Sequence, residues 1–194
     1  MAVTEANLLR KIKGGNVYTN CTVPTAYGVP TLTAGVPAGG TDVGATIGET
    51  VFNYNATIET VEIEQSTSRI APHVTEETAS LAFTIAETTA ANLQLALSQT
   101  HTASVISGSN TYSVFHLGGN IDVTGNCVAV VAEKANVPGQ YYGGMIYNAY
   151  IADAVPISHK RSEVQQIKIT LAGSALLTRS DGDRLGQYFD GSAT

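Results

Sequence analysis

From Thr78 to Glu87 apolar and polar side chains alternate without a break. Ala79, Leu81, Phe83 and Ile85 fall on one side, and Thr78, Ser80, Ala82 and Thr84 on the other. A period of two belongs to a β-strand, and one apolar face backed by one polar face marks a half-buried strand of an antiparallel sheet. Residues 58–65 carry the same pattern, with Val61 and Ile63 expected inward and Thr60, Glu62 and Glu64 sharing the opposite face. Further strands are expected at Val17 to Val23, Cys127 to Glu133, Met145 to Ala152 and Val164 to Leu171. In the last, Ile167, Ile169 and Leu171 are set to face the core, while Gln166, Lys168 and Thr170 face away.

Between these strands the period changes once. Thr89 precedes a run of good helix formers, Ala90-Ala91-Asn92-Leu93-Gln94-Leu95-Ala96-Leu97, in which Ala90, Leu93 and Leu97 share a stripe. The spacing predicts one helix over residues 89–99. The remaining segments read as connections. Residues 1–15 form an N-terminal arm that carries Arg10, Lys11 and Lys13, and Gly14-Gly15 breaks any helix there. Residues 24–44 are dense in Pro, Gly and Thr and make a loop of unusual length for a compact domain. Ordering so long a segment is costly in entropy, so it is expected to dock on a neighbouring copy. Residues 176–194 read as a C-terminal tail. Residues 1–194 thus form a single domain, mainly β: an antiparallel β-sandwich or partly open barrel with one flanking α-helix.

Composition narrows the class. Hydrophobic residues make up 43% of the chain, which argues against disorder. Charged residues make up only 13%, against about a quarter in ordinary soluble domains, and a surface short of charge suits assembly. A net charge of -6 offers no basic stripe for gripping nucleic acid. Cys21 and Cys127 make no disulfide framework; they read as two partly buried thiols, with a single bridge as the alternative. No apolar run is long enough to span a membrane, and the first residues lack the basic-then-apolar order of a signal peptide. The chain is therefore expected to be made and kept in a cytoplasm, with its two Asn-x-Thr sequences chance matches.

Catalytic constellations are sparse. His73, His101, His116 and His159 are scattered without metal-ligand spacing. Asp181-Gly182-Asp183 has part of a calcium loop but lacks its remaining ligands and reads as a turn. Carboxylates at Glu59, Glu62 and Glu64 read as a solvated strand face, not a glycosidase pair. The reading is a non-enzyme with no cofactor and no metal.

One ordered series of motifs covers a little over a quarter of the chain. It runs from Gly48-Glu49-Thr50-Val51-Phe52 through Ile58-Glu59-Thr60-Val61-Glu62-Ile63-Glu64-Gln65-Ser66 and Ala71-Pro72. It continues through the alternating strand Thr78 to Ala86 into Thr88-Thr89 and Asn92-Leu93. This order resembles the tail tube proteins of long-tailed bacteriophages, as does Gly15-Asn16-Val17-Tyr18 upstream. The resemblance implies a structural subunit forming hexameric rings that stack into a hollow tube, a conduit for DNA ejection in a virion tail assembled in the host cytoplasm. It implies further copies of this chain, a tape measure protein and tail-tip or terminator proteins as partners, with double-stranded DNA passing non-specifically. Within it, Thr60, Glu62 and Glu64 are the candidates for the lumen, where carboxylates would keep DNA sliding. Arg10, Lys11, Lys13, Pro30 and Pro37 are the candidates for contact between rings. Two alternatives stand beside it: a head–tail connector, tube terminator or capsid decoration protein, and a ligand- or carbohydrate-binding β-sandwich using Tyr141, Tyr142, Tyr147 and Tyr150 as a platform.

Overall fold

In the computed structural model, the described residues form twelve strands and one helix in the order β1 (Asn16–Thr19), β2 (Leu32–Thr33), β3 (Val36–Pro37), β4 (Thr41–Asp42), β5 (Val51–Val61), β6 (Ala71–Ile85), α1 (Ala90–Leu97), β7 (His101–Ser107), β8 (Asn110–Phe115), β9 (Asn126–Glu133), β10 (Gln140–Ile151), β11 (Ile167–Gly173) and β12 (Gly186–Ser192). The structure describes residues 14–61, 71–87, 89–97, 101–107, 110–115, 125–135, 137–153, 155 and 166–192. The main sheet runs β4-β1-β9-β10-β11-β6-β5, with β12 also on β10; β2-β3 and β7-β8 are separate hairpins. The main-sheet ladders are all antiparallel, and the sheet does not close into a barrel.

Strand β10 organises the molecule. One of its edges pairs with β9. The other is divided: Gln140 to Ile146 pair with β12, and Ala149 to Ile151 with β11. A register shift between Ile146 and Ala149 falls where the partner changes, and such irregularities bend a sheet. The β11-β6-β5 wing thereby folds back over the rest. Phe52 of β5 comes down on Gly144 of β10, where an added Cβ would sit 2.6 Å from the ring. Only a glycine admits that approach.

Two hydrophobic clusters result, one on each face of β9 and β10. The first joins Val17, Val128 and Ile146 to Leu81, Phe83, Ile85, Ile167, Ile169 and Leu171. Here the alternation read from sequence is realised, since Ala79, Leu81, Phe83 and Ile85 are all buried. Helix α1 closes one end of this cluster through buried Ala96 and half-buried Leu93. The side chains of Ala90 and Leu97 are not among those described. Thr89 Oγ1 accepts from Asn92 N–H at 3.2 Å as an N-cap, and buried Asn92 donates to Val43 O and Glu87 O. Replacing Thr89 by Ala is expected to cost about 1 kcal/mol in urea unfolding, the usual value of such a cap.

The second cluster shows that the long loop is anchored within the chain. Leu32 packs with Tyr18, Cys21, Ala129, Met145 and Tyr147, while Val43 reaches the first cluster. Segment 24–44 is thus a layer of the chain's own fold, stapled by β2-β3. At its tip Gly35, with φ 84°, lies against the Tyr141 ring. The expectation for the C-terminal segment is corrected. Instead of a tail, residues 186–192 form β12, and an Asp190–Lys134 ion pair fastens it to the chain just after β9.

Candidate assembly surface

The β5-β6 pair continues beyond the core. At its base Phe52 and Tyr54 stand opposite Leu81 and Ala79. Among the described residues, the two strands from Asn55 outward pair only with each other, because β11 pairs with β6 no further out than Ser80. All described side chains of residues 57–60 and 72–78 are exposed. Strand β5 ends the sheet order, so among the described residues this ribbon has no neighbouring strand on either edge, and those side chains face solvent. Seven residues, Asn55 to Val61, span about 23 Å at the usual rise per residue.

Its surface chemistry is mixed. Ile58 and Val74 form a cross-strand pair and remain 61% and 52% exposed. A register shift beside them leaves Thr75 as the extra residue on β6. The Tyr54 hydroxyl donates to Glu77 Oε1 at 2.6 Å, and that bond pushes the phenol's pKa up. Between the ribbon base and β12 lies a cleft of about 290 Å³ lined by Phe52, Tyr54, Glu77, Arg184 and Tyr188, among others.

Behind the opposite cluster sits a buried polar clamp. The Asp183 carboxylate accepts from Tyr147 Oη at 2.7 Å, Arg179 Nη2 at 2.5 Å and Tyr27 N–H at 2.8 Å. Arg179 also donates to Pro24 O at 2.7 Å and stacks over the Tyr147 ring at 4.3 Å. Burial works to raise the Asp183 pKa, but the Tyr27 N–H, the Tyr147 hydroxyl and Arg179 outweigh it and hold the carboxyl below its ordinary value. The same burial pushes the Tyr147 phenol up, aided by its bond to Asp183. Asp183 is thus consumed in joining the 24–27 segment to the 179–184 turn. Among the described residues no group of three His, Cys, Asp or Glu could hold a metal ion, and no helix is long and apolar enough to cross a membrane.

The sequence-derived candidates divide unevenly. Thr60 lies on the ribbon, exposed and opposite Pro72. Glu62 and Glu64 lie outside the described residues, as do Arg10, Lys11 and Lys13. Near Thr60, Ile58, Glu59 and Thr60 are all exposed, while the side chain of Val61 and the whole of Ile63, expected inward, lie outside the described residues. Pro30 and Pro37, expected between rings, are buried in the chain's own fold; their neighbours Val29 and Val36 carry the exposure instead. The tyrosine platform also fails as drawn. Tyr147 is buried at 2% exposure, and Tyr141, Tyr142 and Tyr150 are half-buried. Among the described side chains the open aromatics are Tyr27, Tyr54 and Tyr188, each isolated in sequence and carrying no pattern that singles it out. No protein-family model matches the chain, and no curated protein matches it significantly.

Proposed function

We propose that this chain is a self-assembling structural subunit of the tail tube kind, in which ring neighbours and stacked rings satisfy the sheet edges left open in one copy. The observation that carries the reading is the β5-β6 ribbon, whose edges have no partner strand among the described residues and which is anchored to the core by Phe52 against Gly144. An isolated hairpin is marginal in water, and unpaired strand edges are templates for another chain. A contact repeated head-to-tail about an axis closes into a ring. Hexameric rings, stacking into a DNA conduit, and a lumen that includes Thr60 follow from the family resemblance in the motif series.

The ribbon itself supplies the test. Replacing Ile58 and Val74 together by Glu adds two charges where an apolar pair faces solvent. The double variant is expected to keep the wild-type unfolding free energy within about 0.5 kcal/mol, as surface changes do. On size-exclusion chromatography with light scattering it should run as the monomer where wild type forms rings or tubes. Unchanged assembly in the variant would exclude the ribbon from the contact. The aromatic cleft beside Tyr54 and Tyr188 favours a second reading, a ligand-binding β-sandwich. That reading requires a monomer that binds a specific sugar, with binding lost on replacing Tyr54 and Tyr188 by Ala.

A further inference from the structure

The two cysteines lie 106 positions apart in sequence, at 21 and 127, yet the fold brings them side by side. Strand β1 ends at Thr19, opposite Val128. Asn20 then turns into the left-handed region at φ 58°, and the Cys21 N–H donates to Cys127 O at 3.0 Å. Two residues, Asn20 and Cys21, thus oppose one, the count of a β-bulge whose first residue is left-handed. Both side chains enter the second cluster, at 6% and 7% exposure, beside Tyr18, Met145 and Tyr147. Opposed residues in an antiparallel pair have Cα atoms about 4.5–5.5 Å apart, within the span of about 4.4–6.8 Å that a disulfide bridges. Each thiol lies within hydrogen-bonding reach of the other, and Cys21 Sγ also reaches Tyr18 O at 3.6 Å. Both are free thiols in this structure.

We infer that Cys21 and Cys127 form a reversible dithiol–disulfide pair, closed by a small-molecule disulfide such as oxidised glutathione. The Cys21 thiolate attacks one sulfur of the oxidant. A Cys21–glutathione bond forms, the oxidant's S–S bond breaks, and one glutathione thiolate leaves. Cys127, after losing its proton, attacks the Cys21 sulfur and expels the second glutathione thiolate. The two protein protons end on the two glutathiones, so two thiols are oxidised and one disulfide is reduced. A hydrogen bond from Cys127 lowers the Cys21 pKa against the opposing effect of burial, and the same bond, with burial, pushes Cys127 up. The bridge would fasten the end of β1 to the start of β9, where the 24–44 layer departs.

The competing account treats both thiols as small apolar fillers. To separate the two, the folded full chain is equilibrated with oxidised glutathione, quenched in acid, unfolded and alkylated. The expected product is a monomer that has lost two hydrogens and takes no alkyl label. It should yield one cross-linked peptide pair containing Cys21 and Cys127, and a higher urea midpoint that dithiothreitol reverses. In C127S the reaction should stop at glutathione on Cys21, and in C21S at glutathione on Cys127, neither going on to a bridge. Because burial alone slows access, the reaction is repeated in urea below the unfolding transition. Two labelled thiols under both conditions would overturn the inference, as would a stable glutathione adduct on the wild-type chain or a bridged chain with a lower midpoint.

Discussion

Replacing Asp183 by Ala is expected to destabilise the chain by about 3–5 kcal/mol, the usual cost of removing one partner from a buried ion pair. The carboxylate is 4% exposed and Arg179 is nearly as enclosed. Without it, the guanidinium stays beneath the 24–27 segment with its charge unpaired, and the Tyr147 hydroxyl and Tyr27 N–H lose their acceptor. The effect should depend on pH with a definite sign. Asp183 has a depressed pKa in the folded chain, so the folded state binds that proton less readily than the unfolded state. Its contribution is therefore complete above the ordinary carboxylate value of about 3.9 and is lost as pH falls through the lower folded value. Urea unfolding of wild type and variant at neutral pH and near pH 3 should show the difference between them shrinking on acidification. A constant difference would mean that Asp183 acts through packing alone. With Arg179→Met, a double-mutant cycle should return a coupling well above the additive error of about 0.5 kcal/mol.

Replacing Phe83 by Ala is expected to cost about 3–5 kcal/mol, from lost transfer energy together with the cavity left behind. Phe83 is 2% exposed, among the largest fully buried side chains, and lies where β6 meets β11 over the first cluster. Lys168, exposed on β11 opposite Thr84, is the control, and its replacement by Ala should stay within about 0.5 kcal/mol. Since a typical domain is stable by only about 5–15 kcal/mol, Phe83→Ala should also lower the thermal midpoint sharply. Equal losses for Phe83 and Lys168 would contradict the assignment of faces along β6 and β11.

Those two strands were the most legible in sequence because each has a single buried face, where a period of two leaves little ambiguity. Strand β9 was found for the other reason, as a short apolar run buried on both sides. The first half of β10 was hidden by Gly143-Gly144, residues that usually interrupt strands but here let Phe52 approach. Strand β12 was hidden by Gly186, Asp190 and Gly191, which have little β-propensity and are held by the partner strand. Leu32, Pro37 and Val43 were too widely spaced among Pro and Gly to show that segment 24–44 is a core layer. The clamp left a faint trace, the Arg179-to-Asp183 spacing in a chain poor in charge. For the ribbon, alternation tells which residues share a face but not whether anything covers that face. Ile58 is apolar and exposed; in the proposed assembly a second copy covers it.

The central claim is that the open ribbon is completed by other copies of this chain. Negative-stain imaging of the purified full chain at high concentration tests it most directly. The account predicts closed rings of uniform diameter, some stacked into hollow tubes; a field of single particles of monomer size at every concentration, with no ring or tube, would contradict it.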